Sequence, residues 1–285
     1  MACLFVEQLT VLDFSRLDRE RGLVGESWIV DLELEGELDP QSMVLDFGEV
    51  KRIARQAVED FADHKLLVPG GCGWLEVDTG AGTGAVRIEA LAAGLRLRSP
   101  GEAVCVVDAA TITMPVLRRC LEECVVTVMP PNVTAARVAL REEGVPGAYY
   151  HYSHGLKRHG GNCQRIAHGH RSRIEVYVDG RRNDHWERYW ADRWQDIYLG
   201  SDEDRVAETT LAERAAWRFA YESGQGEFEL ELWAERCELV PADTTVECLA
   251  AYVAGELARL SPGTAVRVRV YEGVNKGAVA AAGPA

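Results

Sequence analysis

Histidines are concentrated in the second half of this 285-residue chain, which holds six of the seven. His168 and His170 form a His-Gly-His sequence at the start of a predicted strand, where residues two apart point to the same face. Two imidazoles on one face can bind one metal ion. A third histidine on a neighbouring strand would complete the three-nitrogen set of a catalytic zinc site. Spacing alone does not select this third ligand among His151, His154 and His159.

Two further groups could move protons. Cys163 stands shortly before His168. A free thiol is only a few per cent thiolate at neutral pH, but a nearby metal ion or imidazolium raises that fraction. Asp63 and His64 are adjacent, and a carboxylate beside an imidazole can tune a general acid or base. By themselves these groups also fit ordinary roles, as a small loop residue and as a surface pair at a helix end.

The elements that must position these side chains repeat along the chain. Residues 27–38 alternate apolar and charged side chains, which predicts a half-exposed strand. Helical spacing predicts helices over four segments, residues 44–62, 110–128, 186–199 and 245–260. Both halves follow the order strand, strand, helix, hairpin, helix, strand, with a boundary near residue 145. This order indicates an internal duplication of an α+β unit.

Composition narrows the classes of partner. The formal net charge of −14 would repel a phosphate backbone, so we expect no nucleic-acid partner. No apolar run is long enough to span a bilayer, so we expect no membrane partner. The eight cysteines form no CxxC pair, and the N-terminal residues do not resemble a signal peptide. We therefore expect a cytoplasmic protein with reduced thiols.

Several short motifs are divided between the two halves. The second half contains Ser153-His154-Gly155-Leu156, Cys163 before His168-Gly169-His170, Thr245-Val246-Glu247 and a late Glu272. The first half contains Gly36-Glu37-Leu38-Asp39, a helix start with Asp46-Phe47, and Asp63-His64. Together these motifs resemble the 6-pyruvoyl-tetrahydropterin synthase family, which includes 6-carboxytetrahydropterin synthase of queuosine biosynthesis.

The resemblance implies an α+β protein with two tandem tunnelling-fold (T-fold) domains. In such domains, antiparallel sheets carry helices packed on one face. The first copy would span residues 1–144 and the second residues 145–285. Because barrels of this fold close through association of several chains, we also expect a homo-oligomer.

The resemblance also implies roles for individual residues. Zn²⁺ would be held by His154, His168 and His170. Cys163, Asp63 and His64 would be catalytic. Glu272 would accept hydrogen bonds from the pterin ring. Thr245 and Glu247 would line the same pocket, although a helix-capping role is equally open for Thr245. Lys276 would either meet a phosphate or be solvated.

The two copies complement each other in these roles. The metal positions of the first copy align with Ser15, Val24 and Glu26, so we expect no metal there. The second copy has Glu235-Arg236-Cys237 where an Asp-His pair would stand. In the family, the cysteine and the Asp-His pair meet across a subunit contact. We therefore expect one composite site, with metal, thiol and pterin anchor from the second copy and the dyad from the first.

The implied function is a zinc-dependent lyase that acts on the side chain of 7,8-dihydroneopterin triphosphate. The product would be 6-carboxytetrahydropterin or 6-pyruvoyltetrahydropterin. One alternative is a non-catalytic pterin- or purine-binding protein with a structural metal. The presence of both Cys163 and the Asp63–His64 pair argues against it, because binding alone needs neither. Another alternative is an unrelated metal hydrolase, against which Glu272 and the Thr-Val-Glu motif count.

Overall fold

The first half is built around a hairpin of two long strands, β1 (Ala2–Asp18) and β2 (Gly22–Gly36). The computed structural model describes residues 2–80 and 84–284. The other elements of this half are α1 (Phe47–Ala62), β3 (Leu66–Pro69), β4 (Glu76–Asp78), β5 (Ala85–Ala90), β6 (Leu95–Pro100), β7 (Val104–Val107), α2 (Met114–Val128) and β8 (Val133–Glu142). Five strands form one sheet in the order β7-β3-β1-β2-β8.

The second half repeats this arrangement. Its elements are β9 (Tyr149–His154), β10 (His168–Val178), β11 (Arg181–Arg182), α3 (Asp184–Arg193), β12 (Ile197–Ser201), β13 (Arg205–Leu211), β14 (Arg214–Ser223), β15 (Gly226–Trp233), β16 (Cys237–Val240), α4 (Val246–Leu260), β17 (Val266–Tyr271) and β18 (Gly277–Ala282). Its main sheet has the order β16-β12-β9-β10-β17-β18, which matches the first sheet strand for strand and adds β18 at the edge. The predicted duplication of an α+β unit is therefore confirmed.

The predicted antiparallel character holds only for part of each sheet. β1, β2 and β8 pair antiparallel, whereas β3 pairs in parallel with both β1 and β7. The second half has the same mixture, because β12 pairs in parallel with β9 and β16. In both copies the first helix carries the chain back across the sheet, so the next strand runs parallel to the first strand of its copy.

A third sheet joins the two halves. Its order is β13-β14-β15-β6-β5-β4, so the strands inserted into one copy continue those inserted into the other. The equivalent strands β15 and β6 pair antiparallel at its centre, with Leu230 opposite Leu97. The hairpin predicted after the first helix of the first half corresponds to β4, β5 and β6, and residues 81–83 between β4 and β5 lie outside the described part of the chain. Two copies whose equivalent strands meet antiparallel are related by an approximate twofold axis.

The central hairpins of the two copies also meet on this axis. Ser15 stands opposite Gly25 in the first copy, and Ser153 stands opposite Gly169 in the second. The hydroxyl oxygens of the two serines lie 2.7 Å apart and are buried. A Cβ atom on Gly169 would lie 2.7 Å from the Cα atom of Gly25. Two facing glycines therefore allow the hairpins to touch.

The helices of each copy pack together on one face of its sheet. In the first copy, Val50, Val58, Leu117 and Leu121 are at most 1% exposed and belong to one apolar cluster with residues of β1, β2, β7 and β8. In the second copy α3 and α4 bury an equivalent cluster. Each helix pair therefore covers a sheet.

No helix among residues 2–80 and 84–284 is long and apolar enough to cross a membrane.

The predicted helix over residues 186–199 is wrong at its C-terminal end. α3 ends at Arg193, and Ile197 begins a strand that pairs with β9. Trp190 and Trp194 are both fully buried. Because they are four residues apart, they continue the helical spacing of apolar residues past the end of α3. Asp196 adopts a left-handed backbone conformation with φ of 57°, and such a residue ends a helix. Position 245 was predicted correctly as a cap, since Thr245 caps α4.

Candidate active site

Three histidines from β9 and β10 converge at the end of their hairpin. His154 stands opposite His168, and His170 lies two residues further along the same face. One ligand atom from each of the three lies within 4.8 Å of the others, and the Nε2 atoms of His154 and His170 are 3.2 Å apart. All three side chains are at most 1% exposed. The structure therefore brings His154 next to His168 and His170 as the third member of a candidate metal site, which we call the metal cluster.

The two other candidate histidines lie apart from the metal cluster. The Nδ1 atom of His151 lies 2.7 Å from the carbonyl oxygen of Gly25. His159 is exposed in the loop that connects β9 to β10. Neither residue belongs to a described group of potential metal ligands.

Oxygen atoms orient the three imidazoles through their Nδ1 atoms. His154 Nδ1 lies 3.0 Å from the carbonyl oxygen of Thr244, and His168 Nδ1 lies 2.9 Å from that of Arg165. A carbonyl only accepts hydrogen bonds, so each Nδ1 carries the hydrogen and each Nε2 keeps a free lone pair. His170 Nδ1 lies 3.2 Å from a carboxylate oxygen of Asp13.

The cluster has the chemistry of a metal site. Burial, with the charge of neighbouring histidines, lowers the pKa values of His154 and His168 well below their ordinary value. Both imidazoles are therefore neutral, as ligands must be. The Nε2 atom of His168 is buried without a hydrogen-bond partner in the described part of the chain. Such an atom calls for an occupant, and three imidazole nitrogens fit a transition metal ion.

A second group of side chains, His64 and Cys163, lies against this cluster. Ligand atoms of His64, Cys163 and His168 also lie within 4.8 Å of one another, and the rings of His64 and His168 are 5.1 Å apart. His64 comes from the first copy and Cys163 from the second. The structure thus brings the dyad and the thiol together within one chain, with His168 shared between the two groups.

The Asp63–His64 pair, which follows α1, is held in place by strand β1. The Oδ2 atom of Asp63 lies 2.6 Å from His64 Nδ1, and its Oδ1 atom accepts a hydrogen bond of 2.9 Å from the backbone N–H of Asp13. The backbone N–H of His64 donates to the carbonyl of Asp13 at 2.7 Å. His64 has a φ of 54°, a strained conformation for a residue with a side chain. Strand β1 therefore fixes both members of the dyad.

The surroundings of His64 favour its charged form. Burial would lower its pKa, but hydrogen bonds with Asp63 and Cys163 outweigh burial and raise the pKa to about 10. His64 is therefore an imidazolium at neutral pH. A cationic imidazole beside a thiol is the arrangement that stabilises a thiolate nucleophile or base.

Asp13 is a functional residue that sequence reasoning missed. Its carboxylate is 3% exposed, accepts a hydrogen bond from Ser27 and lies 2.9 Å from the ammonium of Lys276. Burial would raise its pKa, but His170, Lys276 and Ser27 hold that pKa well below the usual range. Asp13 belongs to the first copy and reaches His170 only across the twofold axis. No local sequence pattern could have indicated that contact.

The three predicted substrate-binding residues have different surroundings. Glu272 directly follows β17 and is partly buried, and its charge acts on Lys276 and on Tyr152 beside the metal cluster. The Thr245 hydroxyl accepts a hydrogen bond of 3.4 Å from the Cys248 N–H, as expected of a cap. Glu247 is exposed in the first turn of α4. The structure thus places only Glu272 near the site by a described interaction.

Comparison with known proteins assigns the family. A profile described as 6-pyruvoyl tetrahydropterin synthase matches residues 11–76 and 147–282, which together are more than half of the chain. The chain belongs to the 6-pyruvoyl tetrahydropterin synthase family. Family membership makes it a tetrahydropterin synthase-like protein of the pterin lyase type. The two matched segments fall in the two copies, so the chain is a tandem T-fold member of this family.

Solved structures of the family are similar to about half of the chain. A Plasmodium vivax 6-pyruvoyltetrahydropterin synthase is 15% identical with a TM-score of 0.41, over 51% of this chain and 93% of that one. A Plasmodium falciparum 6-pyruvoyl tetrahydropterin synthase is 13% identical with a TM-score of 0.39, over 49% of this chain and 90% of that one. No curated protein sequence matches the chain significantly.

In this member of the synthase family, strand register corrects the expected counterparts of the metal ligands. Because Ser15 is equivalent to Ser153, the counterpart of His154 is Arg16 and not Ser15. Arg16 stands opposite Val24, just as His154 stands opposite His168. The Nε atom of Arg16 lies 2.9 Å from Glu26 Oε1. A buried ion pair thus occupies the place of the metal cluster in the first copy.

Proposed function

We propose that this chain is a zinc-dependent lyase that acts on the side chain of 7,8-dihydroneopterin triphosphate, giving 6-carboxytetrahydropterin or 6-pyruvoyltetrahydropterin. One observation carries the proposal. His168 belongs both to the three-histidine cluster and to the group with His64 and Cys163. The proposed metal site therefore lies beside the proposed base, Cys163, and its charged partner, His64. A protein that only binds a pterin needs neither the base nor this partner.

The residues of the chain divide the work. A metal ion on His154, His168 and His170 would polarise oxygen atoms of the substrate side chain. Cys163 acts as the base that takes a proton from that side chain. The imidazolium of His64, which lies beside Cys163, can return a proton to the product.

The supporting residues position this machinery. Asp63 fixes the orientation of His64 through the 2.6 Å contact. Glu272 accepts hydrogen bonds from N–H groups of the pterin ring, since a partly buried carboxylate is a strong acceptor for paired donors. Thr245 and Glu247 would line the same pocket. They lie at the start of α4, next to Thr244, whose carbonyl oxygen contacts Nδ1 of His154.

We infer the remaining properties from the same features. Zinc is proposed because three imidazoles whose ligand atoms lie within 4.8 Å of one another suit that ion. The domain boundary is proposed at residue 144/145, between β8 and β9. All eight cysteines are free, which fits a reducing compartment such as the cytoplasm. Strand β8 ends its sheet with an unpaired edge, so association with another copy is proposed there.

The proposal is tested by metal content and by turnover of 7,8-dihydroneopterin triphosphate. We expect about one zinc per chain, and His168→Ala should lose it. Cys163→Ala and Asp63→Asn should keep the metal and lose most of the turnover, because general acid–base groups contribute roughly 100-fold or more. Two matched controls should behave as wild type: His159→Ala, in the loop that also holds Cys163, and Cys72→Ala.

The opposite result would support a different function. If zinc is bound, no pterin is changed and Asp63→Asn behaves as wild type, the chain is a non-catalytic pterin- or purine-binding protein with a structural metal. If His168→Ala keeps its zinc, the three-histidine site is wrong.

A further inference from the structure

A second cleft lies at the twofold counterpart of the metal cluster. Its volume is about 890 Å³, and its lining includes Arg16, Glu26, Trp28, Thr113, Glu142 and His151. Small-molecule sites are concave and combine apolar walls with a few polar groups. We call this cavity the first-copy cleft.

Strand register shows that the first-copy cleft keeps the counterpart of the proposed ring anchor. Since Gly25 corresponds to Gly169, Trp28 corresponds to Ser172. Trp28 stands opposite Glu142 on β8. In the second copy Ile174 stands opposite Val270, and continuing that register by two residues places Ser172 opposite Glu272. Glu142 is therefore the counterpart of Glu272.

The wall on the helix side is also kept. Thr113 immediately precedes α2 and Thr245 immediately precedes α4, at the same place in each copy. Thr113 and its neighbours Ile112 and Met114 line the first-copy cleft. The cleft therefore retains the surroundings that would hold a ring, with a carboxylate on one side and a helix start on the other.

The reactive groups have no counterparts in the first-copy cleft. Only residues 19–21 connect β1 to β2, whereas residues 155–167, including Cys163, connect β9 to β10. Asp196, with φ of 57°, stands where His64 stands with φ of 54°, and it is bound by Arg21 at 2.6 Å. With the Arg16–Glu26 pair in place of the clustered histidines, this cleft can bind a ligand but lacks the thiol and the three-imidazole cluster. The histidine in its lining, His151, has its Nδ1 atom 2.7 Å from the carbonyl oxygen of Gly25.

Charges in the cleft are balanced, which limits the ligand. The charged lining residues are Arg16, Arg21 and Arg171 against Asp18, Glu26 and Glu142. Each arginine already has an acidic partner within 3.4 Å. No surplus positive charge is therefore available for a triphosphate.

The acceptor itself is held in position. Arg171 is buried, its Nε atom lies 3.4 Å from Glu142 Oε2, and its guanidinium lies 4.0 Å above the ring of Tyr149. Glu142 is 44% exposed. A carboxylate that is paired with an arginine only at ion-pair distance and is partly exposed in the cleft can accept from N–H groups of a ligand.

We propose that the first-copy cleft is a second binding site, which takes an uncharged bicyclic heterocycle with adjacent N–H donors, of the pterin and guanine type, and does not transform it. The inference rests on the proposed function, because the role of Glu142 is argued from that of Glu272. It goes beyond that function by giving each chain two ring-binding sites of different chemistry, one catalytic and one for binding only.

The test counts binding sites for pterin itself, the unsubstituted 2-amino-4-oxopteridine, by calorimetric and fluorescence titration of the full zinc-loaded chain. Wild type should bind two molecules per chain. Glu142→Gln and Glu272→Gln should each weaken one site by roughly tenfold or more, and the double variant should weaken both. Glu33→Gln, an exposed carboxylate on β2, is the matched control. Turnover should persist in Glu142→Gln and fall in Glu272→Gln.

The outcomes separate this inference from the proposed function. One site per chain that responds to Glu272→Gln and not to Glu142→Gln overturns the second site and leaves the proposed function standing. Absence of pterin binding together with absence of turnover in wild type overturns both. If two sites are present and Glu142→Gln changes neither, the first-copy cleft is not the second site.

Discussion

Replacing Asp13 by asparagine tests whether the first copy supports the metal site of the second. Asp13 is the charged group among the three oxygen contacts of the imidazoles, and its Oδ1 atom lies at ion-pair distance, 3.2 Å, from His170 Nδ1. Asparagine keeps the shape and one carbonyl oxygen but removes the negative charge. Changes to such supporting groups typically cost 10- to 100-fold in metal affinity. We expect the upper part of that range, about 2–3 kcal/mol, because the lost acceptor is charged and buried.

The assay is a competition titration of zinc between the full chain and a chelator of known affinity. Lys276 loses its partner in Asp13→Asn, but its side chain is 52% exposed, so water can solvate the ammonium. Most of the effect should therefore appear in zinc affinity, with a smaller loss of folding stability. Asp31→Asn is the matched control, because Asp31 pairs with Arg141 on β8. Zinc affinity within twofold of wild type, or an equal loss in the control, would refute the reasoning.

Three other predictions follow from the same structure. In Gly25→Ala the new Cβ would clash with the backbone oxygen of Tyr152 in β9. Urea denaturation should therefore show that the free energy of unfolding falls by more than about 2 kcal/mol. The control Gly73→Ala, whose Cβ would meet open space, should lose far less. The pKa of His64 is raised from 6.5 to about 10. Its stabilising contribution should therefore be complete below pH 6.5 and be lost as the pH rises through about 10, which the difference in unfolding free energy between wild type and His64→Gln would show. Arg16→Met removes the arginine partner of the buried Glu26, which keeps its contacts with Trp28 and His151, and should destabilise the fold by about 3 kcal/mol. The double variant with Glu26→Leu should recover part of that loss in thermal denaturation. A double variant that is equally unstable would contradict the ion-pair argument.

The candidate site was predictable wherever its signal is local in the sequence. His168 and His170 were indicated by the two-residue period of a strand, which needs no tertiary information. Spacing left His154 as one of three choices and the family resemblance selected it, whereas its place opposite His168 is set by the register of β9 against β10. The Asp63–His64 pair was linked to Cys163 only through the family resemblance, because residues from different copies share no local pattern.

The rest of the site depends on how the two copies meet. Asp13 contacts His170 across the twofold axis, and the carbonyl of Thr244 reaches His154 from the start of α4. Backbone oxygens have no sequence signature, so the contact of the Thr244 carbonyl with His154 could not be predicted. The alignment that placed Ser15, and not Arg16, at the position equivalent to His154 was wrong by one residue. A shift of one residue is invisible in sequence but moves every side chain to the other face of the sheet.

The third sheet, β13-β14-β15-β6-β5-β4, joins the two copies and has a consequence for how the chain folds. Each copy could form its own sheet from strands that lie within about half of the chain, but β6 and β15 are far apart in sequence and can pair only when both copies are largely formed. Closing so long a loop is entropically costly, so this pairing should come late and limit the folding rate. A chain interrupted between β8 and β9 would then have to find its own missing half as a separate molecule, and each half alone would carry an open strand edge beside buried leucines. Duplication has thus made the two copies a single folding unit.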